Sequence, residues 1–404
     1  MSKKLLIIIG LTIILALMGI WGYILVYGTP EAVEDTFARF GSDDRDTDFA
    51  PIEPDDDSFS DDGDDADDTT DSLAQPALRQ ITTEPVAGYQ FLTRPTGTDN
   101  ATTTAYVYYA EAGTGHIYQY NIAASERERL SNHTIQQAHA AYITPDGSYA
   151  VVVQGYGTNR VLHTIDLSTE TEDASVTTRS VRANNIQMAN DGTLLYTVQR
   201  QGETVGIAYA IATDTERTLF TFPLVETTVA WSPAVEQTHY IYQRPATTIP
   251  STVYRIQNGT IRRTSIQGYD LHLITNGTDI AFSLSSERDA QQNRVSLLQK
   301  SDEVIPLSTT IRRDKCAFAG GEDLVCGDQL GATFTSSEWK RGTVQSNDNL
   351  WRIFSSSGAA RQLARPESAA GVQADIFDVS HLDSHSITGF RNRIDNGTLW
   401  VYTE

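Results

Sequence analysis

The feature that most limits how this chain can fold is a strand–turn–strand pattern that recurs at a near-constant interval. It runs from Tyr142 to Val153, where Asp146-Gly147 divides two stretches rich in β-formers. It returns from Ile186 to Val198 around Asp191-Gly192, from Leu271 to Leu284 around Asn276-Gly277, and from Cys316 to Cys326 around Gly320-Gly321. Gly147, Gly192, Gly277 and Gly321, the second residues of these pairs, lie 45, 85 and 44 residues apart, and the middle gap is two periods with a degenerate member from Ala230 to Tyr242. Asp-Gly and Asn-Gly supply the positive φ angles that a tight hairpin requires. Long amphipathic helical stretches are absent from residue 77 onward.

Each hairpin is followed by a third β-rich run, at 161–167, 204–211, 295–300 and 350–355, and by a polar fourth. Four strands in 40–45 residues is the interval of a propeller blade. In period and turn placement, residues 77–404 resemble the WD40-like and TolB-like β-propeller repeat families, which implies an all-β propeller. The Gly-His and Trp-Asp dipeptides of true WD40 repeats are missing, so the resemblance implies neither activity nor ligand. First strands are expected at 87–92, 140–144, 185–189, 228–232, 270–274, 315–318 and 375–379. That predicts seven four-stranded blades whose first strands line a central channel.

The last of these blades lacks an outer strand, because Gly397 to Glu404 forms its third. Ala77 to Thr82 (ALRQIT) matches Ala359 to Ala364 (AARQLA), the outer strand of the preceding blade. The amino-terminal strand should therefore complete the carboxy-terminal blade and close the ring, bringing Arg79 and Ile81 beside Leu399 and Trp400. Such closure removes the open strand edges that template aggregation.

Ahead of this domain the composition changes. From Leu5 to Tyr27 run 23 uncharged, mostly apolar residues behind Lys3 and Lys4. At about 1.5 Å per residue they reach across a hydrocarbon core of about 30 Å. The lysines place residues 1–4 in the cytoplasm and everything after the span outside it, on the cell surface or in the periplasm. A cleaved signal peptide would have a shorter apolar core and a small-x-small site, which Gly28-Thr29-Pro30 does not offer. Residues 28–76 follow. Between Glu31 and Asp71 eighteen carboxylates face two arginines, a net of −16 out of −22 for the chain. With the +2 of the lysine pair, −8 is left for residues 72–404. Such a segment repels itself and has nothing to bury, which predicts a disordered acidic linker. Acidity in both linker and domain disfavours nucleic acid as a partner.

Within the domain, the connection from Gln329 to Asn349 is the largest insertion. Loops beyond about 12–15 residues in a compact domain are usually functional or disordered. Phe334, Trp339, Lys340 and Arg341 are its candidate partner-binding residues, since Trp and Arg dominate interface hot spots; the alternative is a tryptophan folded back onto its own blade. Cys316 and Cys326, the only cysteines, lie five residues either side of Gly321 and would face each other across a hairpin, predicting a structural disulfide.

Asp270, His272 and Asp375 on expected first strands, with His139 just ahead of one, are candidates for a convergent axial cluster. Polar residues there also simply hydrate the channel. His381 and His385 fall at a turn, where i,i+4 spacing does not aim both rings at one ion. No nucleophile-elbow, zincin, dinucleotide-binding or P-loop string occurs, so no catalytic residue, metal or cofactor is expected. These readings favour a membrane-anchored, extracytoplasmic, non-catalytic platform for a protein or an envelope glycan. The alternative is a propeller hydrolase or lyase that uses an axial pocket.

Overall fold

The computed structural model describes residues 77–96, 102–155, 160–168, 175–288, 294–301, 303–331 and 334–404. The expected cytoplasmic end, membrane span and acidic linker lie outside the described residues. No helix among the described residues is long and apolar enough to cross a membrane.

Strands are the main secondary structure of the described residues. β1 (Leu78–Gln80) is followed by a first sheet of β2 (Val86–Thr96), β3 (Thr102–Glu111), β4 (Ile117–Asn121) and β5 (Glu126–Arg129). A second sheet holds β6 (Ala138–Ile143), β7 (Tyr149–Gln154), β8 (Val161–Asp166) and β9 (Val176–Ser180). The third holds β10 (Asn184–Met188), β11 (Thr193–Arg200), β12 (Glu203–Ala210) and β13 (Thr215–Phe222). Then come β14 (Thr227–Ala230), β15 (His239–Gln243), β16 (Ser251–Gln257), β17 (Thr260–Thr275), β18 (Ile280–Ser285), β19 (Arg294–Gln299) and β20 (Val304–Pro306). These seven form one hydrogen-bonded sheet, because the early part of β17 pairs with β16 and its later part with β18. β21 (Cys316–Ala319), β22 (Asp323–Asp328), β23 (Asn349–Ile353) and β24 (Ala360–Ala364) make the next sheet. The last has the order β1, β27 (Thr398–Thr403), β26 (Ile387–Asn392), β25 (Ile376–Leu382). In it Arg79 sits opposite Val401 and Gln80 opposite Trp400.

All pairing is antiparallel, and the hairpins turn where the glycine pairs stand. Gly147 (φ 75°) and Gly192 (φ 80°) occupy left-handed conformations that a side chain would strain. Central strands carry apolar runs rather than alternation because both of their faces are covered. In β7, Ala150 and Val152 pack with Ala141 and Tyr108 on one side, while Val151 and Val153 pack with Leu194 and Tyr196 on the other. Each sheet is thus one slice between two apolar layers. The layer of Val86, Val107 and Tyr109 from the first sheet also contains Ile387, Leu399 and Val401 from the last. The leading strands touch in sequence, β2 with β6, β6 with β10, β10 with β14, β14 with β17, β17 with β21, β21 with β25, and β25 with β2.

Cys316 and Cys326 are opposite one another in the β21–β22 hairpin, with Cα atoms 4.1 Å apart, and form a disulfide. Besides two 3-10 turns, two short α-helices interrupt the strands among the described residues, α1 (Ser336–Arg341) inside the long insertion and α2 (Pro366–Ala370) ahead of β25.

Candidate binding site

The insertion between β22 and β23 folds inward. Its helix α1 is set by Thr335-Ser336-Ser337-Glu338, a capping box. The Thr335 hydroxyl accepts from the Glu338 amide at 3.1 Å, and a Glu338 carboxylate oxygen accepts from the Thr335 amide at 2.7 Å. Gly342, left-handed at φ 75°, ends it. One turn of helix is marginal alone, and its anchor is Trp339. The indole Nε1 donates to both carboxylate oxygens of Asp375, at 2.8 and 3.0 Å. Its ring lies 4.9 Å from the Lys315 ammonium and 4.8 Å from the Arg393 guanidinium.

Beneath the indole is a buried charge cluster. Lys315 Nζ donates to Asp348 Oδ2 at 2.5 Å, Asp375 Oδ1 at 2.7 Å and Ser346 Oγ at 2.5 Å. The three charged side chains are 1 %, 1 % and 0 % exposed. One ammonium serves two carboxylates. Burial, with the neighbouring charge of Asp375, pushes Asp348 up to about 6 against the pull of Lys315. The cluster ties α1 to the leading strands of the last two sheets.

A second polar group lies alongside. His272 Nε2 pairs with Ser336 Oγ and stands 3.5 Å from Asp270 Oδ1, and Arg294 pairs with Asp270 Oδ2. Asp270 and His272 are 2 % and 3 % exposed. Burial lowers the pKa of His272, so the ring is neutral near pH 7. Burial alone would raise Asp270, but His272 and Arg294 outweigh it and hold that carboxyl well below the usual range. Serine, histidine and aspartate together invite comparison with a hydrolase triad. In a triad the aspartate addresses one ring nitrogen and the serine the other. Here both address Nε2, so the carboxylate does not orient the ring toward the hydroxyl.

Beside these groups opens a cavity of about 480 Å³, reached by His272, Asp314, Arg313 and Lys340 from one side. Arg160, Asn185, Glu226, Thr228 and Arg244 line the other. Leading strands β10, β14 and β17 thus contribute to one space, together with the segment before β21 and with α1. Asn185 and Asp270 enter their strands with φ of 47° and 44°, at bulges that re-aim the neighbouring side chains. Lys340 Nζ reaches Asp314 Oδ2 at 3.0 Å across the opening.

Of the four insertion residues singled out from sequence, Lys340 lines the cavity and Arg341 is exposed, its Nε donating to the Ser337 carbonyl at 3.1 Å. Phe334 stacks under the Arg312 guanidinium at 4.1 Å, and Trp339 is buried between Lys315 of its own sheet and Asp375 and Arg393 of the last. The four axial candidates do not converge. Asp270 and His272 meet, Asp375 joins the Lys315 cluster, and His139 lies near Arg160. His381 Nδ1 bonds Thr388 Oγ1 at 2.8 Å and His385 Nε2 bonds the Thr103 carbonyl at 3.0 Å, so these rings have separate partners. Arg160, Arg244 and Arg313 were not singled out from sequence. Arg313-Asp314 immediately before a leading strand was the available signal.

No protein-family model matches the chain, and no curated protein does. Solved structures do match. Oligogalacturonate lyase from Vibrio parahaemolyticus is similar at 12 % identity and a TM-score of 0.51, over 82 % of this chain and 94 % of that one. The acylaminoacyl peptidase of Pyrococcus horikoshii is similar at 12 % identity and a TM-score of 0.51, over 78 % of this chain and 51 % of that one. This chain therefore spans about half of the peptidase. The β-propeller domain of the trilobed protease from Pyrococcus furiosus also matches, at 12 % identity and a TM-score of 0.48, over 79 % of this chain and 95 % of that domain. The likeness is one of fold. The fold class is all-β, of the propeller kind.

Proposed function

We propose that this chain is a membrane-anchored, extracytoplasmic propeller of seven blades that binds a protein or an envelope glycan without altering it chemically. Reading the seven-stranded sheet as two blades that meet in β17 supports a count of seven. The cyclic contacts of the leading strands, and the pairing of β1 with β27, support a ring closed by its amino-terminal strand. In this reading residues 5–27 cross the membrane, residues 28–76 hold the propeller away from it, and nucleic acid is not a partner.

The observation that carries the binding reading is the placement of the insertion. Trp339 is fastened to Asp375, so α1 presents Lys340 to the cavity on a fixed support, which limits the ordering cost of meeting a ligand there. The Ser336–His272–Asp270 geometry argues against acyl transfer. A hydrolase or lyase remains the second reading, favoured by His272 and Asp314 both lining the cavity with Asp270 behind them.

The test is capture of envelope protein and glycan fractions on the full chain held in detergent, compared with Lys340→Glu. Capture that falls with the variant, with ligand recovered intact, is expected. Capture indifferent to Lys340 removes the cavity from the function. Ligand recovered with newly cut ends overturns the non-catalytic reading and favours the second.

A further inference from the structure

The cavity is cationic in a chain that is strongly acidic. Arg160, Arg244, Arg313 and Lys340 line it against Glu226 and Asp314, two more cations than carboxylates, while the chain as a whole carries −22. Lys340 and Asp314 neutralise one another at 3.0 Å. That leaves three guanidiniums and the Glu226 carboxylate.

The guanidiniums are positioned by uncharged acceptors, and none of the three forms a salt bridge among the described residues. Arg160 Nη1 donates to the Ala183 carbonyl at 2.7 Å and to Asn184 Oδ1 at 3.1 Å, and its buried Nε has no hydrogen-bond partner. Arg313 Nη1 reaches Asn185 Oδ1 at 3.4 Å. All of these acceptors are uncharged; Arg313 also lies in the field of Asp314, which against burial it helps Lys340 to hold low, so Arg160 and Arg244 are the guanidiniums farthest from being answered by a carboxylate. Arg244 and Glu226 take part in no ion pair among the described residues.

The neutral part of the lining is hydroxyl and amide. Thr197, Thr204, Thr227 and Thr228 stand with Asn184 and Asn185, groups that both donate and accept. Tyr242, 0 % exposed, lines the same space with its hydroxyl lacking a well-formed hydrogen bond. Apart from the His272 imidazole it is the only aromatic among the described lining residues, and its ring is buried among apolar neighbours rather than laid open as a stacking platform. Planar guanidiniums suit planar, bidentate oxyanions. Interspersed hydroxyls and amides suit a ligand that carries several hydroxyls. A volume of about 480 Å³ is of the size that encloses a small organic molecule.

We infer that the cavity takes a polyhydroxylated carboxylate, a sugar acid, whose carboxylate meets Arg313 and Arg244 and whose hydroxyls meet the threonine and asparagine lining. The inference rests on the cavity being the binding site proposed above, and it deepens that reading by naming the ligand's chemistry. A neutral sugar leaves the arginine charge unanswered. A bare carboxylate leaves the hydroxyl lining unused.

The experiment is calorimetric titration of the full chain in detergent with glucuronate, glucose, acetate and glucose 1-phosphate at low salt. Glucuronate should bind at least tenfold more tightly than each of the other three. Arg313→Gln should weaken glucuronate at least tenfold without lowering the melting temperature, and Arg313→Lys should retain part of the affinity. If Arg313→Gln does not fold, Arg244→Gln, at an exposed side chain, takes its place. Glucose or acetate binding as well as glucuronate overturns the inference and leaves the cavity reading standing. Tighter binding of glucose 1-phosphate, or an Arg313→Gln affinity unchanged from wild type, overturns it too. No response to any probe, with envelope capture still dependent on Lys340, sinks this inference alone. Loss of the Lys340 dependence sinks the reading beneath it.

Discussion

Replacing Lys315 with methionine tests whether the buried cluster holds the insertion in place. Methionine keeps most of the stem and removes only the charged head, so packing loss is small. The change deletes three contacts of 2.5–2.7 Å, to Asp348, Asp375 and Ser346, and leaves two buried carboxylates with no cation. Asp348 keeps the Ile376 amide at 2.8 Å and Asp375 keeps the Trp339 indole at 2.8 Å, while the single proton of Ser346 serves only one of them. Removing one partner of a buried ion pair costs about 3–5 kcal/mol, and that is the expected loss at pH 7.5 in urea unfolding followed by tryptophan fluorescence. The pH dependence is the sharper readout. In the wild type Asp348 is already raised to about 6, so this group leaves stability flat above that pH. In the variant the pair should hold a proton beyond pH 7.5. Stability lost on substitution should then be recovered at about 1.4 kcal/mol per pH unit as pH falls from 7.5 to 6. Lys315→Met combined with Asp348→Asn should recover much of it at all pH values. A loss below about 1 kcal/mol at pH 7.5, or one identical at pH 6, would refute the reasoning.

Asp348→Asn in an otherwise unchanged chain addresses the same group from the other side. Because the folded value lies above the unfolded one, the folded state takes up the proton first. Wild-type stability should gain on the order of 2–3 kcal/mol from this group as pH falls from about 6 to 4, and the variant should lack that gain. Asp270 acts oppositely. Its carboxyl is held low, so the stability it contributes is present above its unfolded value and is lost below about pH 4, and Asp270→Asn should flatten the acid limb of the unfolding curve. The disulfide predicts no titratable thiol in the unfolded, unreduced protein, and Cys316→Ser with Cys326→Ser should cost about 2–3 kcal/mol. Gly88→Ala should be destabilising by about 1–3 kcal/mol in thermal or urea unfolding, because its Cβ would fall 2.1 Å from the Ala141 carbonyl oxygen where β2 meets β6; an unchanged melting temperature would contradict that close approach.

What the amino-acid sequence determined by itself was the periodic part. Turn pairs such as Asp146-Gly147 act within a few residues, and the runs between them are long enough only for short strands. The expected first strands at 87–92, 140–144 and 185–189 therefore overlap β2, β6 and β10 closely. Even the return of the amino-terminal strand was legible, because Ala77 to Thr82 repeats the residues of an outer strand and finds β27. The facing of Cys316 and Cys326 follows from symmetry about Gly321 in the same local way.

Tertiary structure alone decided the direction of the insertion and the make-up of the cavity. Thr335-Ser336-Ser337-Glu338 announces a helix but not where it docks, since that depends on Asp375 waiting in a different sheet. Trp339 beside two cations is the same pattern whether it faces solvent or folds beneath. Arg160, Arg244 and Arg313 lie in three separate stretches of chain, and nothing in their neighbours marks them as companions. Hydrogen-bonding patterns within a repeat are set by residues a few positions apart, whereas a site at the meeting of several sheets exists only once those sheets have been arranged around it.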